Sequence, residues 1–275
     1  MRSERRRRPG LWQPEVERRR EAENAPMSEA LVHLYWLGES CFVLQAGKTR
    51  ILTDPFDASF GYGAPTIQGV DVVTISHEHA GHNNAALAAG KPLLLRGLTP
   101  GSAEFNRIDQ KVKTVRIFTV PSYHHVLGGT PRGRNAIFAF DVLTATPPPR
   151  IVHMGDFGER HVDAGRRRAL GAIDVLLLPV GGYYTIGAAE ARAIVAELRP
   201  RIVVPMHWKT ERMPADYPTT DVGPFLRGKE DAVLNDVASG NHLTVTTELL
   251  QRAGEAGEPL IVPLDFGPPP EPIAL

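Results

Sequence analysis

The stretch Ile75-Ser76-His77-Glu78-His79-Ala80-Gly81-His82-Asn83-Asn84 constrains this chain more than any other. Three of the ten histidines fall within six residues there, directly after the apolar run Val70, Val72, Val73 and Ile75, so a strand runs into a loop loaded with imidazole. Side chains two apart on an extended backbone project from one face, which lets His77 and His79 grip one ion together. His82 lies past the strand end and can turn back toward the same place. Imidazole is the commonest neutral metal ligand, and clustered His with a later Asp and further His is the composition of Zn, Mn or Fe sites.

Further strand ends repeat the pattern. Lys113 to Pro121 reads as a strand that runs into Ser122-Tyr123-His124-His125, with His124 the preferred ligand of the pair. Arg150-Ile-Val-His is followed by Met154-Gly-Asp-Phe-Gly, where glycines on either side let the backbone turn tightly and carry Asp156 into a crowded site. Arg201-Ile-Val-Val-Pro-Met is a strand that delivers His207. Before all of these, an antiparallel meander from Leu31 turns at Gly38-Glu39-Ser40 and at Ala46-Gly47-Lys48, and its third strand ends at Asp54. Asp54 either supports a ligating histidine from behind or caps the turn before Pro55.

Elsewhere the pattern predicts a short helix over 85–89, a strand at 92–96, a short polar helix before 110 and a helix over 187–199. It also predicts a short helix over 229–238, and strands at 243–247 and from Pro259. Organisation follows as a basic, disordered N-terminal extension (1–26), one domain (27–267) and a Pro-rich C-terminal tail (268–275).

Charge and composition narrow the function. Eight Arg against five Glu confine basic character to residues 1–26, and the net charge of the whole chain is zero, which argues against a general nucleic-acid surface. A single cysteine, Cys41, forms no internal disulfide, and no apolar run is long enough for a bilayer, so the expectation is a soluble cytoplasmic protein with no membrane partner. Arg132 and Arg134 follow the His124 loop and are candidates to bind a phosphate or carboxylate on a small-molecule substrate. Tyr183, in Gly181-Gly-Tyr-Tyr, is a candidate substrate contact. No feature specifies an oligomeric state.

Thr53-Asp-Pro, Ser76-His-Glu-His-Ala-Gly-His, His124 followed by Arg132-Gly-Arg-Asn, His153-Met-Gly-Asp and Pro205-Met-His occur in that order, and together they resemble the metallo-β-lactamase-fold hydrolases, in the branch that includes ascorbate-6-phosphate lactonase. The resemblance implies an α/β (αββα) sandwich, two mixed β-sheets packed face to face with helices outside and a metal site at one sheet edge. It implies that His77, His79 and His124 hold a first metal, that His82 and His207 hold a second, and that Asp156 bridges both. It also implies one or two zinc ions, or Mn or Fe, and hydrolysis of a small ester, lactone or phosphorylated metabolite by a metal-bound hydroxide, with Asp156 as proton acceptor. The chain departs from the family signature at Gly81, where the family carries an aspartate that ligates the second metal. A weakened hydrolase and a non-catalytic metal-binding relative are therefore both expectations, with a nuclease behind them.

Overall fold

The structure, a computed structural model, describes residues 30–63, 65–102, 104–124, 133–268 and 271. The N-terminal extension and most of the Pro-rich tail lie outside the described residues.

The meander expected from Leu31 forms β1 (Ala30–Gly38), β2 (Cys41–Ala46) and β3 (Thr49–Thr53), paired antiparallel. After β3 the chain crosses over, and β4 (Val72–Ile75) and β5 (Leu93–Arg96) add in parallel. The late strands β12 (Ala238–Ser239) and β13 (His242–Thr246) return to the free side of β1 and complete a seven-stranded sheet.

The second sheet also has seven strands. β6 (Asp109–Val112), β7 (Val115–His124), β8 (Gly133–Val142) and β9 (Arg150–His153) run antiparallel, then β10 (Val175–Pro179), β11 (Ile202–Met206) and β14 (Leu260–Ile261) continue in parallel. Residues with no polar alternation, such as Val175-Leu-Leu-Leu in β10, are buried on both faces, as parallel strands covered on two sides require. Trp36, Phe42, Phe138 and Phe140 pack in the one large core that the two sheets share. Both sheets are mixed, as the αββα sandwich requires.

Among the described residues four α-helices lie on this frame: α1 (Ala164–Leu170), α2 (Ala188–Leu198), α3 (Gly223–Leu226) and α4 (Thr247–Glu255). α2 is the helix predicted over 187–199, and it buries Ala191 and Ile194. Three expectations change. The helix over 85–89 is a single 3-10 turn, Ala85–Leu87. The polar helix before 110 is replaced by β6, whose exposed side chains give no apolar signal and whose pairing with β7 decides its state. The helix over 229–238 shrinks to a turn at Glu230–Ala232. α1 and α4 were not predicted: α1 buries only Leu170 and so lacks an apolar stripe, whereas α4, capped by the Thr246 hydroxyl, has Leu249, Leu250 and Ala253 at readable helical spacing. No helix among the described residues is long and apolar enough to cross a membrane.

Candidate metal centre

Six chain segments bring their functional residues to one edge of the sandwich. Five of them, at Asp54, His77, His124, Asp156 and His207, lie at or just beyond the C-terminal ends of β3, β4, β7, β9 and β11, and the sixth is the β1–β2 turn at Glu39. Side chains at the end of a strand are held by the ladder behind them yet are free of it, which is where open sheets place their sites.

Around His77 the pleat works as expected. His77 and His79 face one way, with His77 Nε2 and His79 Nδ1 3.0 Å apart, while Glu78 between them turns aside to Arg96 at 2.7 Å. A turn closed by the His82 amide donating to the His79 carbonyl then folds His82 back beneath them. His124 arrives as the last residue of β7.

Asp156 is the centre of the arrangement. Its Oδ2 lies 2.8 Å from His124 Nε2 and 3.7 Å from His77 Nε2, and its Oδ1 lies 3.1 Å from His82 Nε2 and 3.4 Å from His207 Nε2. One carboxylate thus faces two sets of imidazoles with one oxygen each. Ligating atoms of His77, His79, His124 and Asp156 fall within 4.8 Å of one another, as do those of His82, Asp156 and His207. Only Gly fits before Asp156: Gly155 has φ +56°, and a Cβ there would stand 2.3 Å from Asn135 Oδ1 and 2.8 Å from Ser76 Cβ. Asn135 Oδ1 accepts from the Asp156 amide, and its own amide group donates to Ser122 Oγ and the Met154 carbonyl, fixing the loop.

Asp54 sets the protons. It is fully buried; its Oδ1 accepts from the Ser76 amide at 2.7 Å, and its Oδ2 accepts from the Ser76 hydroxyl at 2.6 Å and from His82 Nδ1 at 2.9 Å. With its one proton given to Asp54, Ser76 Oγ accepts from His77 Nδ1 at 2.9 Å. In their neutral forms both His77 and His82 are therefore protonated on Nδ1 and present an Nε2 lone pair toward Asp156. A single carboxylate fixes the tautomer of one ligand in each set.

The electrostatics follow from this crowding. Burial would raise the Asp156 carboxyl, but His82, His207 and His124 outweigh it and hold the group well below the usual carboxylate range. Burial opposes a charge on His82, yet Asp156 and Asp54 push it up to about 10. Burial, with His82 adding to it, lowers His77.

These residues fit a metal ion. The donors are imidazole nitrogens and carboxylate oxygens, the set that Zn, Mn and Fe accept, and the buried Asp156 Oδ1 has no donor in hydrogen-bonding geometry. A buried carboxylate oxygen left without a donor is costly unless a cation compensates it.

Three sequence-predicted contacts fare differently. Arg134 stands on the outer face of β8, opposite Tyr123, with its guanidinium 5.4 Å from the Phe105 ring centre, so it lies outside the cavity. Its neighbour Gly133 is the residue paired with His124, and the two-residue period turns Arg134 away. Tyr183 is 43% exposed and Tyr184 instead lines the cavity. Arg132 lies outside the described residues. The cavity, of about 280 Å³, is lined by Phe60, Tyr184 and Tyr217 above the histidines. Sequence reasoning missed Ser76, Asn135, Tyr217 and Glu39 as parts of this site and named Tyr183 where Tyr184 lines the cavity; Ser76 and Asn135 carried a signal, as ends of the Ser76-His-Glu-His-Ala-Gly-His and Arg132-Gly-Arg-Asn pieces.

A family model described as "Beta-lactamase superfamily domain" matches residues 33–207, the span from β1 to the last histidine. A UPF0173 metal-dependent hydrolase of Pyrococcus furiosus is 30% identical over 203 residues, covering 66% of this chain and 86% of its own length. The chain belongs to the beta-lactamase superfamily, in its UPF0173 family. A second UPF0173 metal-dependent hydrolase, from Pyrobaculum islandicum, is 29% identical over 201 residues and covers 65% of this chain and 85% of itself. Among solved structures, a Thermotoga maritima member of the metallo-beta-lactamase superfamily, named as a candidate Zn-dependent hydrolase, superposes with a TM-score of 0.63 at 28% identity. The match covers 86% of this chain and all of that one.

Proposed function

We propose that this chain is a metal-dependent hydrolase of a small uncharged ester or lactone. The carrying observation is Asp156, one oxygen toward His77 and His124 and the other toward His82 and His207. His77, His79, His124 and Asp156 would hold a first ion, and His82, His207 and Asp156 a second. Zinc suits the donor set, and Mn and Fe suit it as well. When bound, a divalent ion lowers the pKa of water to about 7 and polarises the group under attack.

The protein supplies the rest. Asp54 and Ser76 keep Nε2 of His77 and His82 free of protons, and Asn135 holds Asp156 where its carboxylate can accept a proton from the attacking water. Phe60, Tyr184 and Tyr217 line the cavity with aromatic surface above the histidines. At about 280 Å³ the cavity sits at the small end of the roughly 300–1,000 Å³ range of ligand sites. Among the described lining residues none is Lys or Arg, which favours an uncharged carbonyl over a phosphorylated metabolite.

The test is a screen of the zinc- and manganese-loaded protein on aryl esters, lactones and phosphate esters beside Asp156→Asn. Ester or lactone turnover lost in the variant is the expected result. Turnover of phosphate esters alone would shift the substrate class toward the Arg132 loop. No turnover with metal bound would overturn the catalytic reading in favour of a non-catalytic metal-binding protein.

A further inference from the structure

Gly81 offers no side chain where the sequence resemblance implies an aspartate, and the space is tight: a Cβ at 81 would lie 3.2 Å from Phe60 Cζ. On the opposite side of the second ligand set is a carboxylate that the sequence presents only as a turn residue. Glu39 stands between β1 and β2, 1% exposed, with Oε2 3.2 Å from His207 Nε2. Its backbone is pinned there, since its carbonyl accepts from the His207 amide at 3.0 Å and from Trp36 Nε1 at 2.9 Å. Burial pushes the Glu39 carboxyl up, with His207 and the nearby Tyr217 hydroxyl pulling against it, and neither carboxylate oxygen finds a donor in hydrogen-bonding geometry.

We propose that Glu39 is a ligand of the second metal ion, completing a set with His82, His207 and Asp156 and replacing the carboxylate that Gly81 lacks. The proposal rests on the metal-dependent reading above. Spacing between neighbouring donors supports it: Glu39 Oε2 to His207 Nε2 is 3.2 Å, His207 Nε2 to Asp156 Oδ1 is 3.4 Å, and Asp156 Oδ1 to His82 Nε2 is 3.1 Å, with Glu39 standing outside the 4.8 Å group that His82, Asp156 and His207 form. Donors about 2.0–2.1 Å from a common ion at tetrahedral angles lie about 3.3–3.4 Å apart. Charge supports it too. Two buried carboxylates, Glu39 and Asp156, face the same histidine with orphaned oxygens, which is the situation a divalent cation relieves. With Glu39 the second position has two imidazoles and two carboxylates, so the loss at Gly81 leaves its ligand count intact.

The experiment is zinc stoichiometry and affinity by elemental analysis and chelator competition on the wild type and Glu39→Gln, whose amide preserves shape but not charge. Wild type should hold two ions, and the variant should keep the first while its second-ion affinity falls more than about 100-fold, beyond the ~10–100-fold that loss of a supporting hydrogen bond costs. A fall in second-ion affinity of less than about 100-fold would reduce Glu39 to a positioning residue for His207 and overturn the proposal. A wild type holding one ion overturns it as well, while leaving the metal-dependent reading in place; a wild type holding none overturns both. Should Glu39→Gln fail to fold, the zinc-loaded wild-type crystal structure decides. A Glu39 oxygen about 2.0–2.2 Å from the second ion supports ligation, and one beyond about 3 Å refutes it.

Discussion

Replacing Asp54 by Asn should weaken both metal positions although Asp54 touches neither, because the substitution reverses two imidazole tautomers. Asp54 accepts three buried hydrogen bonds, two from Ser76 and one from His82 Nδ1. Alanine would leave those donors unpaired at about 1–3 kcal/mol each, roughly 3–9 kcal/mol in all, against a total stability of about 5–15 kcal/mol, so it tests folding rather than binding. Asparagine keeps an acceptor for the Ser76 amide but puts an NH2 where Oδ2 now accepts from the Ser76 hydroxyl and His82. His82 Nδ1 must then accept, which moves its proton to Nε2, the atom aimed at Asp156. The Ser76 hydroxyl, now an acceptor from the amide, donates to His77 Nδ1 and moves that proton to Nε2 in the same way. Each ion should lose about 10–100-fold in affinity, about 1.4–2.7 kcal/mol. Chelator competition measures this. Affinities for both ions within about threefold of wild type would refute the relay through Asp54.

Gly81→Asp should lower the melting temperature by a few degrees, since the Phe60 ring must move and overpacking typically costs about 1–3 kcal/mol; it should raise second-ion affinity in the same sample, and calorimetry with zinc titration checks both. The zinc-free protein should lose stability as pH rises from about 6.5 through about 10, because the folded-state pKa of His82 is raised and its contribution is complete only below the unfolded value of 6.5. Asp156 and His77 act in the opposite direction: the depressed Asp156 pKa contributes above 3.8, and the lowered His77 pKa costs stability as pH falls below 6.5, so thermal melts should be highest near pH 6.5, and a flat profile from 6.5 to 10 would contradict the His82 assignment. Chelation of zinc-loaded protein should lower the melting temperature by about 5–10 °C for zinc held at 100 times its dissociation constant, which is worth about 2.7 kcal/mol; scanning fluorimetry with and without chelator reads it.

How much of this site could be read in the chain depended on whether a residue type is unusual where it stands. Histidine at the ends of three strands, β4, β7 and β11, is unusual, so His77, His79, His82, His124 and His207 stood out, and Asp156 stood out between its two glycines. A serine before a histidine, or a glutamate in a Gly-Glu-Ser turn, is ordinary. The roles of Ser76 and Glu39 come only from partners 22 and 168 positions away, at Asp54 and His207. Arg134 was misplaced because its side is fixed by the pairing of His124 with Gly133 across β7 and β8, and that register is not written in either strand alone. Tyr183 and Tyr184 are adjacent, and which of them faces the cavity depends on a left-handed turn at Tyr183, φ +59°, that no local preference for tyrosine predicts. The sheets were easier: the meander and the parallel strands carry their own apolar signal. The short elements β6 and α1 bury too little to declare themselves.

Backbone strain points to the same residues as the donor geometry. Six described residues other than glycine have positive φ, and three of them are Glu39, Asp54 and His207, at +47°, +40° and +52°. Such conformations cost on the order of 1–3 kcal/mol each for residues with a Cβ and persist where the surroundings over-determine them. For Asp54 the surroundings are visible: three hydrogen bonds to its carboxylate hold the turn that the left-handed backbone makes. For Glu39 and His207 they are incomplete. Their backbones are tied to each other, but the Glu39 carboxylate and His207 Nδ1 are buried without hydrogen-bond partners. Two strained turns that meet only to leave a carboxylate unpaired against an imidazole are not a stable arrangement by themselves. A cation held by Glu39 Oε2 and His207 Nε2 would supply the charge that the carboxylate lacks, and it would convert the strain of the two turns into preorganisation of the second metal position.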